Sequence, residues 1–266
     1  MGMLSERLKS LASNNKKALV AYIVAGDPEP GVTVPLMHRL VESGVAVIEL
    51  GVPFSDPEAE GPVIQLAHER ALAHNVSLGN CLEMAAEFRQ SDKVTPIVLM
   101  GYLNPVETMG YENFAAKAAR AGVNGTIIVN LPPEEAVDMS AILEANDIEP
   151  VYLLAPTTTD ERARMICQAS KGFVYYVSLK GTTGAGNLDI DDVSEKMDRF
   201  KKLSQLPIMV GFGVKDGPGA RAVARVADGA VVGSAIVKLM AEHKGDLQKL
   251  NDEVGQFVSE LRAAID

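Results

Sequence analysis

The sequence predicts an α/β fold, a single (β/α)8 TIM barrel with extra N-terminal and loop helices, occupying residues 1–266 as one domain. Three observations predict it. Eight short apolar runs recur along the chain, amphipathic stretches separate them, and 266 residues suit one barrel of this class. A doubly wound open sheet uses the same alternation, but the count of eight favours closure.

The expected strands are Ala18–Val24, Ala46–Leu50, Pro96–Met100, Gly125–Val129, Pro150–Leu154, Phe173–Val177, Pro207–Gly211 and Gly229–Val232. Most are continuous rather than alternating apolar runs, the pattern of parallel strands covered on both faces. Between them, Val34–Val41 has apolar residues at helical spacing and stops at Ser43-Gly44. Leu82–Phe88 runs on to Gln90, and Tyr111–Ala121 stops at Gly122. Glu134–Ala145 follows Pro132-Pro133, residues favoured at a helix start. Asp160–Ala169, Asp191–Leu203, Gly217–Val226, a run from Ser234 through Met240, and Asp246–Ile265 complete the helices. Thr159-Asp160 suits an N-cap.

Composition excludes several function classes. Hydrophobic residues make up 47% and charged residues 23%, ordinary values for a globular chain. The net charge of −10 repels nucleic acid and anionic membrane surfaces, so neither is an expected partner. No apolar run approaches the ~20 residues of a membrane helix. Met1 to Asn15 lacks a signal core, and Glu6 stands where myristoylation wants Ser or Thr. The expected location is the cytoplasm. Cys81 and Cys167 sit among apolar residues and read as buried, reduced thiols. His38, His68, His74 and His243 show no ligand spacing and read as surface or packing residues; no metal site is expected.

In barrels the chemistry follows the strands. Glu49 interrupts the apolar end of the second strand. A carboxyl there is desolvated and raised in pKa, which suits a general acid or base; a structural Glu paired with a Lys or an amide fits position equally well. Asp56, Glu58 and Glu60 follow at spacing two. Gly61 falls where a calcium loop wants glycine, but Ala67 replaces its final Glu and Pro57 and Pro62 interrupt it, so solvated loop charges are the reading for Glu58. Ser178 to Asn187 carries three glycines, suited to closing over a ligand or offering N–H groups, and equally to a plain connection. Gly211-Phe212-Gly213 follows the seventh strand and Gly233-Ser234 the eighth, before a helical run. That pattern matches the common barrel phosphate site, where a helix N-terminus presents free N–H donors. A dinucleotide fingerprint is disfavoured because the third glycine, Gly217, falls one residue late.

Taken together these segments resemble the tryptophan synthase alpha subunit. The likeness rests on Gly26-Asp27-Pro28, the run Glu49–Asp56, Gly61-Pro62 before Ile64-Gln65, Gly101-Tyr102 with Asn104-Pro105, Tyr175 to Ser178, Thr183-Gly184, Gly211-Phe212-Gly213 and Gly233-Ser234-Ala235. It spans about Leu19 to Lys238 and implies retro-aldol cleavage of indole-3-glycerol phosphate to indole and glyceraldehyde-3-phosphate, a carbon–carbon lyase reaction of tryptophan biosynthesis. The resemblance implies Glu49 and Glu60 as catalytic residues, Tyr22, Tyr102, Tyr175, Thr183 and Phe212 around the substrate, and Gly184, Gly213, Gly233 and Ser234 at its phosphate. It also implies docking, through loops near Asp56 and residues 181–186, on a beta subunit in an alpha-beta-beta-alpha heterotetramer that receives the indole. Pyridoxal phosphate belongs to that partner; no cofactor is expected in this chain.

The chain departs from the family pattern at Glu60, where the family has Asp, at Glu58, usually apolar, and at Asn130, usually Asp. One extra methylene matters, since ~1 Å of misplacement can cost ~100-fold in rate. Two other readings follow. One is a weakened barrel that binds ligand and mainly activates its beta partner. The other is a Schiff-base aldolase using Lys180, disfavoured because a glycine-rich loop does not lower a lysine's pKa by burial.

Overall fold

The computed structural model describes residues 2–177, 190–211 and 213–266. Its strands are β1 (Ala18–Val24), β2 (Val47–Gly51), β3 (Ile97–Gly101), β4 (Gly125–Ile128), β5 (Glu149–Pro150), β6 (Leu153–Leu154), β7 (Val174–Val177), β8 (Ile208–Gly211) and β9 (Gly229–Val232). All pairings are parallel, in the order β5-β4-β3-β2-β1-β9-β8-β7-β6. Only Val151 and Tyr152 separate β5 from β6, so the two outermost segments of the sheet are one stave. The Val151 N–H donates to the Thr126 carbonyl at 2.9 Å, and the Tyr175 N–H donates to the Tyr152 carbonyl at 3.1 Å. This stave pairs with β4 at its start and β7 at its end, which closes eight staves into a barrel. The expected single strand over Pro150–Leu154 is thus two short bridges. The stagger of a closed barrel moves the segment from one partner to the other midway, and Pro150 has no N–H with which to extend its ladder.

The helices are α1 (Met3–Ser13), α2 (Thr33–Glu42), α3 (Pro62–Ala73), α4 (Leu78–Phe88), α5 (Leu103–Met109), α6 (Tyr111–Arg120), α7 (Val137–Ala145), α8 (Asp160–Ala169), α9 (Ile190–Phe200), α10 (Gly217–Val226), α11 (Ser234–Glu242) and α12 (Leu247–Ile265). The Thr159 hydroxyl caps α8 by accepting the Arg162 N–H. Helix α4 begins four residues before its expected start. The Ser77 and Asn80 side chains accept each other's backbone N–H there, a reciprocal cap. Helix α7 begins three residues after its expected start. The Glu135 and Ala136 N–H groups bond back to Pro132 and Pro133 at 3.0 and 3.3 Å, and these i to i+3 turns hold 132–136 outside the α-helix. Helix α3 follows Gly61, with Pro62 in its first turn.

Every residue of β1, β2 and β9 is buried, because the sheet is covered on both sides. One apolar layer lies between strands and helices and includes Leu19, Ile23, Ile48, Leu99 and Val232. The other fills the barrel and includes Val20, Val47, Val98, Ile127, Phe173 and Met209, with Leu4 and Leu8 of α1 completing it. Helix α1 therefore plugs the end of the barrel opposite the strand C-termini. Its first turn has no side-chain cap of its own; Glu149 of β5 supplies one, accepting the Ser5 N–H at 3.1 Å and the Ser5 hydroxyl. A carboxylate at a helix N-terminus is also favoured by the helix dipole.

Leu4 is fully buried against Gly125 and Gly172. We predict that Leu4→Ala lowers stability by about 2–5 kcal/mol through the cavity it leaves. The check is the denaturant midpoint; a loss below about 0.5 kcal/mol, the range of ordinary surface changes, would show that α1 is not part of the core.

Candidate active site

The strand C-termini surround a cavity of about 560 Å³. Tyr22 of β1, Glu49 of β2, Met100 of β3, Tyr175 of β7 and Val231 of β9 line it. Glu60, Val63 and Ile64 close one side, and Gly213, Gly233 and Ser234 another. The two tyrosines lean over strand-end glycines. A Cβ at position 51 would lie 2.4 Å from the Tyr22 hydroxyl, and one at position 211 would lie 2.2 Å from that of Tyr175. Only glycine leaves room for either ring, so Gly51 and Gly211 shape the cavity wall without touching its contents.

Glu49 is the register partner of Tyr22 and is 1% exposed. Among the described residues neither carboxyl oxygen has a hydrogen-bond partner. Burial, and secondarily the charge of Glu60, push its pKa up to about 8, because an isolated charge is disfavoured away from water. Glu60 is also buried, and burial alone lifts it to about 7. Glu49 therefore holds a proton at neutrality while Glu60 is poised to ionise. Burial first, then these carboxyls, keeps the Tyr22 and Tyr175 phenols fully protonated.

The loop that delivers Glu60 is tethered along its length. The Val52 N–H donates to the Met100 carbonyl at 2.8 Å. The Phe54 N–H donates to His68 Nδ1 at 3.0 Å, and the Ala59 N–H to the Tyr102 hydroxyl at 3.1 Å. Phe54 and Tyr102 stack with centroids 4.9 Å apart. The Glu60 N–H bonds to the Pro57 carbonyl at 3.0 Å, while the Glu60 carbonyl accepts from Gln65 Nε2 at 2.8 Å. With its backbone held on both sides, Glu60 turns inward; Glu58 and Asp56 stay exposed. Helix α3, which carries His68 and Gln65, is fixed to the loop after β1 by the Arg70 guanidinium on fully buried Asp27, at 2.5 and 3.0 Å.

The start of α11, which follows β9 two staves from β2, also lines the cavity. The first N–H groups of an α-helix have no partner within it, and the capping residue, Gly233, supplies none. Gly213, in the left-handed region at φ 87°, leaves its backbone open to close approach. Lys215 and Lys238 also line this side, with Lys238 3.8 Å from Glu242. An anion placed here meets N–H donors and the positive end of a helix dipole.

Tyr22, Tyr175, Glu49, Glu60, Gly213, Gly233 and Ser234 thus come together in one cavity. The Tyr102 hydroxyl accepts the Ala59 N–H of the Glu60 turn. Asp56 lies on the exposed loop, where Ser55 Oγ donates to it at 2.5 Å. Thr183, Gly184, Phe212, Lys180 and the glycine-rich loop lie outside the described residues. Asn130 accepts the Leu103 N–H at 2.8 Å, opening α5, a bond its amide oxygen makes as a carboxylate would. Sequence reading missed His68, whose burial depends on three elements far apart in the chain, and the lysines, whose approach to the cavity no local pattern announces. Among the described residues no cluster of His, Cys, Asp or Glu is arranged to hold a metal, and no helix is long and apolar enough to cross a membrane.

The fold and the cavity define a (β/α)8 barrel with two buried carboxyls lining one cavity at its strand C-termini. The tryptophan synthase alpha chain family model matches residues 8–266, and the chain belongs to that family. It is 52% identical to the tryptophan synthase alpha chain of Thioalkalivibrio sulfidiphilus, over 100% of both chains. The solved alpha subunit of Legionella pneumophila str. Paris superposes with a TM-score of 0.94 at 45% identity, covering 100% of this chain and 99% of that one. A chain of the mutually activating tryptophan synthase a2b2 complex of the hyperthermophile Pyrococcus furiosus is 38% identical, with a TM-score of 0.85 over 93% of this chain and 99% of its own.

A carboxyl raised from 4.5 to about 8 on folding binds its proton more tightly in the folded chain. Its cost to stability is absent below the unfolded value, grows as pH rises from about 4.5 to about 8, and is constant above. Glu49→Gln should therefore gain stability relative to the wild type across that window, seen as a larger difference in denaturant midpoint at high pH than at low pH. An equal difference at both ends would contradict the burial of a titrating Glu49.

Proposed function

We propose that this chain performs the alpha half-reaction of tryptophan synthase. It cleaves indole-3-glycerol phosphate by a retro-aldol, carbon–carbon lyase reaction into indole and glyceraldehyde-3-phosphate. It works in the cytoplasm, in an alpha-beta-beta-alpha heterotetramer, and passes the indole to the beta subunit. The observation that carries the reading is Glu49, buried, without a hydrogen-bond partner among the described residues and protonated at neutrality, in one cavity with Glu60. Family membership and the named Pyrococcus complex support the partner.

Glu49 donates its proton to indole C3, and the ring nitrogen takes up positive charge. The Glu60 carboxylate faces that N–H and stabilises the charge. Glu49, now a carboxylate, removes the proton of the side-chain hydroxyl. The C3–C3′ bond breaks, its electrons return to the ring and the hydroxyl carbon becomes the aldehyde. Glu49 ends with the proton it began with. Tyr22 and Tyr175, with Ile64, Met100 and Val231, enclose the indole, and the phosphate rests on Gly213, Gly233 and Ser234; the family resemblance adds Gly184 to the phosphate contacts and Thr183 and Phe212 to the substrate contacts. Tyr102 acts by holding the Glu60 turn. Asp56 faces the partner. The reading draws on no cofactor in this chain; pyridoxal phosphate is expected on the beta subunit.

The test is indole release from indole-3-glycerol phosphate by the purified chain, alone and with a cognate beta subunit. We expect slow release alone, faster release with the partner, and none from Glu49→Gln although it binds substrate. Turnover by Glu49→Gln near the wild-type rate would remove Glu49 from the mechanism. Glu60, longer than the family's Asp, favours one second reading, a barrel that binds substrate mainly to activate its partner. The Glu60→Asp variant separates the two. If the tethered turn has already drawn the longer side chain into place, the shorter one loses activity by up to ~100-fold; if the chain is a weakened enzyme, removing the methylene raises activity.

A further inference from the structure

His68 is 2% exposed on α3, two helical turns beyond Glu60, and touches both β1 and the loop after β2. Its Nδ1 accepts the Phe54 N–H at 3.0 Å, and its Nε2 lies 3.4 Å from the Tyr22 hydroxyl. A backbone N–H can only donate, so Nδ1 carries no proton. Burial holds the imidazole pKa near 4, so the ring is neutral and its one proton is on Nε2. That N–H in turn can only donate, and the Tyr22 oxygen accepts.

The phenol oxygen's contact with His68 thereby turns the phenol's own proton elsewhere. The Tyr22 ring leans over Gly51 and lines the cavity beside its register partner Glu49. A group entering between Tyr22 and Glu49 meets an O–H donor on one side and a carboxyl on the other. We propose that His68 is a positioning residue for the cleavage, fixing Tyr22 as a hydrogen-bond donor to the substrate hydroxyl that becomes the aldehyde oxygen. No proton is transferred from Tyr22: Glu49 takes the hydroxyl proton, and the phenol donates a hydrogen bond to the oxygen left behind.

The inference rests on the proposed cleavage, and its test separates the two. In the full chain at neutral pH, nitrogen-15 spectra of His68 should show Nε2 protonated and Nδ1 bare; a proton on Nδ1 overturns the proposal. His68→Asn keeps an acceptor where Nδ1 was, so the Phe54 tether survives, but cannot reach Tyr22. His68→Gln places an amide N–H where Nε2–H was. A single neutral hydrogen bond at this long distance is worth about a 3- to 10-fold effect. We expect His68→Asn to lower kcat by about that factor with KM changed less, and His68→Gln to recover most of the loss. In a Tyr22→Phe background, His68→Asn should have no further effect. An undiminished loss in that background, or a loss confined to KM, would reduce His68 to a loop fastener. Absence of cleavage by the wild type would strike the proposed function instead, and the imidazole spectrum would still place the proton.

Discussion

Everything at the mouth of this barrel follows from one constraint: a carboxyl group buried to 1% exposure, with no partner for either oxygen among the described residues. An ionised carboxylate there is costly, so the group stays protonated at neutrality and becomes an acid. An apolar strand end desolvates it. The two tyrosines seated over Gly51 and Gly211 narrow the space beside it. A second carboxyl, Glu60, is brought into the same cavity by a turn tied down at Phe54, Ala59 and Gln65. This arrangement opposes stability, since folding would be easier with Gln at position 49. The barrel supports that cost through its continuous strand burial and the plug formed by α1.

The two ends of the barrel divide the work. At the closed end, Leu4 and Leu8 fill the interior and Glu149 caps the helix that carries them. Those contacts are apolar or fully paired, and they stabilise. At the open end, the Glu49 carboxyl has no hydrogen-bond partner among the described residues, and the leading N–H groups of α11 have none within their own helix. Such groups are tolerated where a ligand completes them. Both line one cavity, as the proposed substrate, with its protonatable ring and its phosphate, requires.

Much of this was legible in the sequence. The eight apolar runs gave the staves because parallel strands covered on both faces leave no room for polar alternation. Glu49 stood out because it broke such a run. Gly213 and Gly233-Ser234 stood out because small residues recur after the strands where barrels bind anions. Other features depend on distances that no local pattern encodes. The fifth stave changes partner between Pro150 and Leu153, which only barrel stagger requires. Tyr102 reads as a pocket residue, and that its hydroxyl also accepts the Ala59 N–H is a contact no local pattern encodes. His68 is just another helical histidine until α3 packs it between Phe54 and Tyr22. The Pro132-Pro133 pair promised a helix start, whereas turns back to those prolines delayed it to Val137.

The most direct test of this account is to observe the Glu49 proton. Infrared difference spectra of the free chain, wild type against Glu49→Gln, report the carbonyl stretch of a protonated carboxyl. The account predicts that a Glu49 carboxylic acid band persists at pH 7 and disappears as pH passes through about 8. A Glu49 already ionised at pH 6 would mean that water or an unrecognised partner reaches the group, and burial would then no longer explain how it acts as an acid.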